Sequence, residues 1–155
     1  MKVLITGAAG FIGSQLLEAL AVQHPEWTLI ASDIRPLNPQ ALRPNVEAAL
    51  VEIGKREAVL AAVAQHQPDA IVHLASVVTP PPGMGEDVLH TIDVEGTRSI
   101  LQAAVEHGVR QLIVTSSGAA YGYYPENAEW IDEHDPLRGH SKFAYAKHKR
   151  EVEEM

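Results

Sequence analysis

Three glycines at intervals of three, Gly7, Gly10 and Gly13, separate a short branched apolar run (2–6) from a stretch with apolar residues at helical spacing (11–23). Few folds accept such a junction. The run reads as a buried parallel strand, and Ile12, Leu16, Leu17 and Leu20 give the following helix one apolar face. Gly7 permits a tight turn, Gly10 lets a pyrophosphate approach the backbone, and Gly13 lets helix and strand pack closely. The helix N-terminus then offers N–H groups and partial positive charge to an anion. A Lys followed by an apolar stretch also imitates a signal peptide, but the regular glycines and the amphipathic helix argue against that reading.

The rest of the chain continues the alternation. Strands are expected at 27–33, at 48–53 (a weak one), at 70–75 and at 111–116. Helices are expected at 55–66, from 86 or 87 to 107 with Gly108 as its stop, and from about 141, still running at 155. The segment 35–45, with three prolines, reads as a loop, as do 79–85 and 118–139. No repeat or change of composition marks a boundary, so residues 1–155 read as one domain. Strands alternating with helices specify an α/β fold: a doubly wound parallel sheet, the Rossmann arrangement, with five strands in the order 3-2-1-4-5.

In such a sheet the ligand crevice lies at the carboxyl ends of the strands. Asp33 falls there, twenty residues past Gly13, where a carboxylate can accept both hydroxyls of an adenosine ribose and repel a 2′-phosphate. Arg35, two residues on, could instead accommodate that phosphate. Ser116 and Ser117 end the fifth expected strand on the same rim. Tyr145 and Lys149 are four apart and share a helix face. An ammonium beside a phenol stabilises the phenolate, and a serine hydroxyl can hold a substrate alcohol beside it. Together these groups favour a dinucleotide site with acid–base chemistry over a solvated tyrosine and lysine.

Composition narrows the partners. Lys plus Arg number 12 against 20 Asp plus Glu, a net charge of -8, without the basic footprint that nucleic acid or an anionic membrane requires. No apolar run approaches the ~18 residues of a membrane span, and a cytoplasmic location is expected. The chain has no cysteine, which excludes disulfides and thiol nucleophiles. None of the eight histidines pairs as HxxxH with a supporting carboxylate, so no metal site is expected. His73 reads as a buried imidazole, His148 as lying on a different face from Lys149, and Asp132, Glu133 and Asp135 as solvated.

TGAAGFIG (6–13), Asp33, HLAS (73–76), DVEGT (93–97), TSSGAAYG (115–122) and YAKHK (145–149) resemble the extended short-chain dehydrogenase/reductases, the NAD-dependent epimerase/dehydratase group. The resemblance implies NAD as cofactor. It implies pyrophosphate contacts from Gly7, Gly10 and Gly13 with the N–H groups of Phe11 and Ile12, and ribose contacts from Asp33. Glu52 and Ile53 would flank the adenine, and Ala75 would lie beside the nicotinamide half. Ser117, Tyr145 and Lys149 match the catalytic serine, the general acid/base and the lysine that also binds the nicotinamide ribose. The implied reaction is oxidation of a secondary alcohol of a sugar or nucleotide sugar, within a possible homodimer. Asp93 stands where the family usually has Asn, and an ionised Asp there changes the charge near Lys149. Family members run to about twice this length. The later strands and the substrate-binding region are therefore expected to be absent, and the 155 residues alone to bind the adenosine portion without turnover. The rival reading is a non-catalytic dinucleotide-binding module or a truncated fragment, which would have no use for Ser117, Tyr145 and Lys149.

Overall fold

A computed structural model describes residues 1–39 and 42–155. Its elements are β1 (Lys2–Thr6), α1 (Phe11–Gln23), β2 (Thr28–Asp33), β3 (Val46–Leu50), α2 (Arg56–His66), β4 (Ala70–His73), α3 (Glu86–His90), α4 (Gly96–Glu106), β5 (Gln111–Val114) and α5 (Ala144–Glu153). A π-helical turn, Thr91–Glu95, joins α3 to α4, and a 3-10 turn, Gly118–Tyr121, follows β5. The strands form one parallel sheet in the order β3-β2-β1-β4-β5, as the alternation requires. β1 is central, pairing Val3 to Thr6 with Leu29 to Ser32 on one side and with Ala70 to His73 on the other.

The sheet is covered on both faces. Leu4, Ile30 and Ile71 pack with Val59 and Val63 of α2 and Ile100 of α4. Val3, Ile5, Leu29 and Ala31 pack with Leu17 and Ala21 of α1. β1 and β2 are buried almost throughout, which explains why they read as continuous apolar runs rather than alternating ones. No helix among the described residues is long and apolar enough to cross a membrane.

Several boundaries differ from the expectations, mostly where polar contacts end a strand early. β2 starts at Thr28, because Trp27 stacks on His24 at 3.8 Å and belongs to the preceding turn. β3 covers 46–50 rather than 48–53; after Val51 N–H donates to Asp33 O at 3.0 Å, a turn closed by Lys55 N–H on Glu52 O carries the chain out of the sheet. Lys55 caps α2 instead of starting it. β4 stops at His73, where Leu74 N–H is shared between Thr6 O at 3.3 Å and Thr6 Oγ1 at 3.1 Å and Ala75 N–H donates to Thr6 Oγ1 at 3.2 Å. β5 stops at Val114, so Ser116 and Ser117 belong to the loop beyond it. The single helix expected over 86–107 is two helices and a π turn. The last helix begins at Ala144, after a turn in which Phe143 N–H reaches His140 O, and ends at Glu153 instead of running on. The expected loop 118–139 contains the 3-10 turn. Of the loop 35–45, residues 40 and 41 lie outside the described residues.

Candidate functional site

The glycine turn is shaped as its spacing requires. Gly7 has a φ of +70°, and a Cβ there would lie 2.9 Å from Ala75 N. A Cβ on Gly13 would run into the carbonyl oxygen of Gly7. No side chain caps α1 at Gly10. The N–H groups of its first turn, including those of Phe11 and Ile12, have no partner within the helix. The side chains of Phe11 and Ile12 are exposed, so their backbone is what they can offer a ligand.

Beside the turn a cleft of about 240 Å³ opens at the carboxyl ends of β1 and β2, walled by Gly7, Gly10, Asp33, Glu52, Ile53 and Ala75. Six residues chosen from the sequence thus meet in one cavity. Asp33, 7% exposed, accepts the N–H of Ala9 at 2.9 Å and that of Arg35 at 2.9 Å. Arg35 Nε donates to the same carboxylate at 3.3 Å. These contacts hold the carboxylate at the cleft edge, and its two oxygens offer about four lone-pair sites, enough for further donors. Ile34, Val77 and Ile92 also face the cleft, and the sequence motifs do not single them out as binding residues; Arg35 faces it too. The sequence offers Arg35 only as a phosphate partner, whereas the structure turns it toward Asp33.

A second group of residues lies along α5. Lys149 Nζ donates to Thr115 O, just past β5, at 2.8 Å and lies 5.6 Å from the ring centroid of Tyr145. Burial lowers the pKa of Lys149 below the ordinary lysine value, while the charges of Asp93 and Glu153 oppose that shift. Ser117 Oγ accepts the N–H of Ala119 at 3.2 Å, capping the 3-10 turn, which packs against α5. Its hydroxyl proton remains available to another acceptor. Phe11, Ile12, Gly13, Ser117, Tyr145 and Lys149 do not wall the 240 Å³ cleft.

A buried chain of hydrogen bonds runs from the cleft wall at Leu74 and Ala75 to the π turn at Asp93. Thr6 Oγ1, which accepts from Leu74 and Ala75, meets His73 Nδ1 at 2.7 Å. His73 Nε2 meets Thr97 Oγ1 at 3.0 Å, and Thr97 Oγ1 donates to Asp93 O at 2.6 Å. Thr97 has spent its one proton on Asp93, so Nε2 must be the donor to Thr97 and Nδ1 the acceptor from Thr6. His73 is thus a neutral imidazole with both nitrogens satisfied, the buried residue that the sequence leads one to expect. Burial, and secondarily Lys149, lowers its pKa to about 4.

The family model described as NAD dependent epimerase/dehydratase family matches residues 3–155. Uronate dehydrogenase of Pseudomonas putida is 34% identical over 146 residues, covering 94% of this chain and 51% of that protein. dTDP-L-rhamnose 4-epimerase of Burkholderia thailandensis is 32% identical over 130 residues, covering 78% of this chain and 36% of that protein. Among solved structures, UDP-glucose 4-epimerase of Thermus thermophilus, in complex with NAD, superposes with a TM-score of 0.82 at 29% identity. That match covers 99% of this chain and 49% of the other. The chain spans about half or less of the length of these three proteins.

Proposed function

This chain belongs to the NAD dependent epimerase/dehydratase family, and we propose that the protein carrying it is an NAD-dependent oxidoreductase acting on a secondary alcohol of a sugar or nucleotide sugar. The observation that carries this reading is the placement of Lys149. Hung from Thr115 O just past β5, it stands beside the ring of Tyr145, on the rim where the glycine turn and Asp33 wall a cleft. A binding module needs only the cleft. The uronate dehydrogenase, the rhamnose epimerase and the UDP-glucose epimerase all bear names of sugar enzymes, which supports the substrate class.

The residues fit the cofactor. In this reading Gly7, Gly10 and Gly13 admit the pyrophosphate, with the N–H groups of Phe11 and Ile12 facing it. Asp33 takes the adenosine ribose, Glu52 and Ile53 flank the adenine, and Ala75 borders the nicotinamide half. Tyr145 and Lys149 hold the nicotinamide ribose. Bound NAD supplies the hydride acceptor. Ser117 donates its hydroxyl proton to the substrate oxygen and fixes it, and Tyr145 removes the alcohol proton. The Lys149 ammonium favours the phenolate that does so. A homodimer belongs to the same reading.

Tyr145→Phe tests it. Phe keeps the packing and removes only the hydroxyl, so turnover should fall on the order of 10²–10⁴-fold, far more than NAD affinity, which loses at most one ribose hydrogen bond, about tenfold. Lys149→Ala should lower both. Substantial turnover by Tyr145→Phe, measured as NADH formation on a panel of sugars and nucleotide sugars, would refute the assignment.

A further inference from the structure

Two buried ionisable side chains lie beside the residues given roles in that chemistry. Asp93 in the π turn is 4% exposed and His148 on α5 is 1% exposed. Oδ2 of Asp93 stands 3.5 Å from Nδ1 of His148. Neither atom, nor Nε2 of His148, has a hydrogen-bond partner among the described residues. His148 meets the ring of His90 edge-on, with centroids 5.4 Å apart, and Nε2 of His90 lies 2.9 Å from Oε2 of Glu151. A buried carboxylate oxygen and a buried imidazole left without hydrogen bonds are both costly. At 3.5 Å, a closure of a few tenths of an ångström makes a hydrogen bond between them.

Asp93 is also a junction. Its carbonyl ends the buried chain that starts at β1 and runs through His73 and Thr97. Its Oδ1 accepts the N–H of Val77 at 2.9 Å, and Val77 faces the cleft. Beyond its Oδ2 lies α5, the helix that carries Tyr145 and Lys149. A single side chain therefore touches both the cleft wall and the helix that bears the acid–base pair.

We propose that Asp93 and His148 form one buried positioning unit that locks α5 to the cleft wall at Val77, so that Tyr145 and Lys149 keep a fixed place relative to the cleft. The inference rests on the reading of Tyr145 and Lys149 given above, but the coupling between His148 and Val77 does not depend on it. Neither residue of the unit touches substrate; they act through α5 and Val77.

The test is amide hydrogen exchange on the cofactor-free protein. His148→Ala should speed exchange of the Val77 amide by roughly tenfold or more relative to the core amides of Leu4 and Ile30. His148→Asn, whose side-chain amide can place a donor near the position of Nδ1, should restore most of that protection. If His148→Ala fails to fold, His148→Leu fills the space without a nitrogen and gives the same readout. Val77 exchange that merely tracks Leu4 and Ile30 in these variants overturns the inference. In turnover, His148→Ala should lower kcat by roughly tenfold while the Kd for NAD stays within about twofold. A proportional fall in both, or in neither, also counts against it. An active Tyr145→Phe protein would overturn the reading of the site, and the exchange result would still decide whether His148 holds Val77.

Discussion

At the scale of single residues, His73 shows how a titratable group becomes structural. It lies in β4 with its ring nitrogens satisfied by Thr6 and Thr97, and its pKa is lowered to about 4. The unfolded chain, with an ordinary histidine value near 6.5, therefore takes up the proton first as pH falls. Stability from this residue is complete above about pH 6.5 and is lost as pH drops toward about 4, by roughly 3 kcal/mol at most. His73→Gln keeps a donor and an acceptor but does not titrate. Denaturant unfolding between pH 7 and 4 should show a shallower loss of stability in the variant than in the parent. Equal slopes would mean that His73 does not report on folding. His73 is legible as a buried imidazole from an apolar strand sequence. Its tautomer is not, because that depends on Thr97, twenty-four residues away and spent on Asp93.

At the scale of elements, the legible parts are those fixed by local spacing. α1 spans the residues its apolar periodicity marks, and the glycine turn has the geometry its interval implies. The strand ends are less legible, since β3 and β4 stop where a turn or a threonine hydroxyl takes their backbone groups. The π turn Thr91–Glu95 leaves no sign in the periodicity, which reads as one long helix. It places Asp93 between Val77 and His148, and from spacing the latter reads only as facing away from Lys149. The one available signal is Asp93 standing in DVEGT where the related motif carries Asn. The start of α4 is also tightly constrained. A Cβ at Gly96 would collide with the Ile53 side chain and approach the Ile53 carbonyl oxygen to 3.2 Å. Gly96→Ala should destabilise the fold by about 1–3 kcal/mol and displace a wall of the cleft. A lowered Tm together with weakened NAD binding would confirm it; an unchanged Tm would contradict it.

At the scale of the whole molecule, the sheet order gathers groups from five segments onto one rim. Gly7 follows β1, Asp33 ends β2, Glu52 and Ile53 follow β3, Ala75 follows β4, and Thr115, which receives Lys149, follows β5. Sequence order and parallel connection suffice to predict that gathering. They do not predict its depth: the cleft is formed around the glycine turn and Asp33, while Ser117, Tyr145 and Lys149 lie outside its walls. The proposed binding of NAD at this rim runs through the glycine turn and Asp33. It is tested most directly by calorimetric titration of the protein with NAD and NADP, before and after Asp33→Asn. That substitution keeps an acceptor for Ala9 or Arg35 and removes the charge that repels a 2′-phosphate. NAD should bind at least about tenfold more tightly than NADP, and Asp33→Asn should weaken NAD by about tenfold and narrow the gap. Tighter binding of NADP by the unaltered protein, or no binding of either, would contradict the claim.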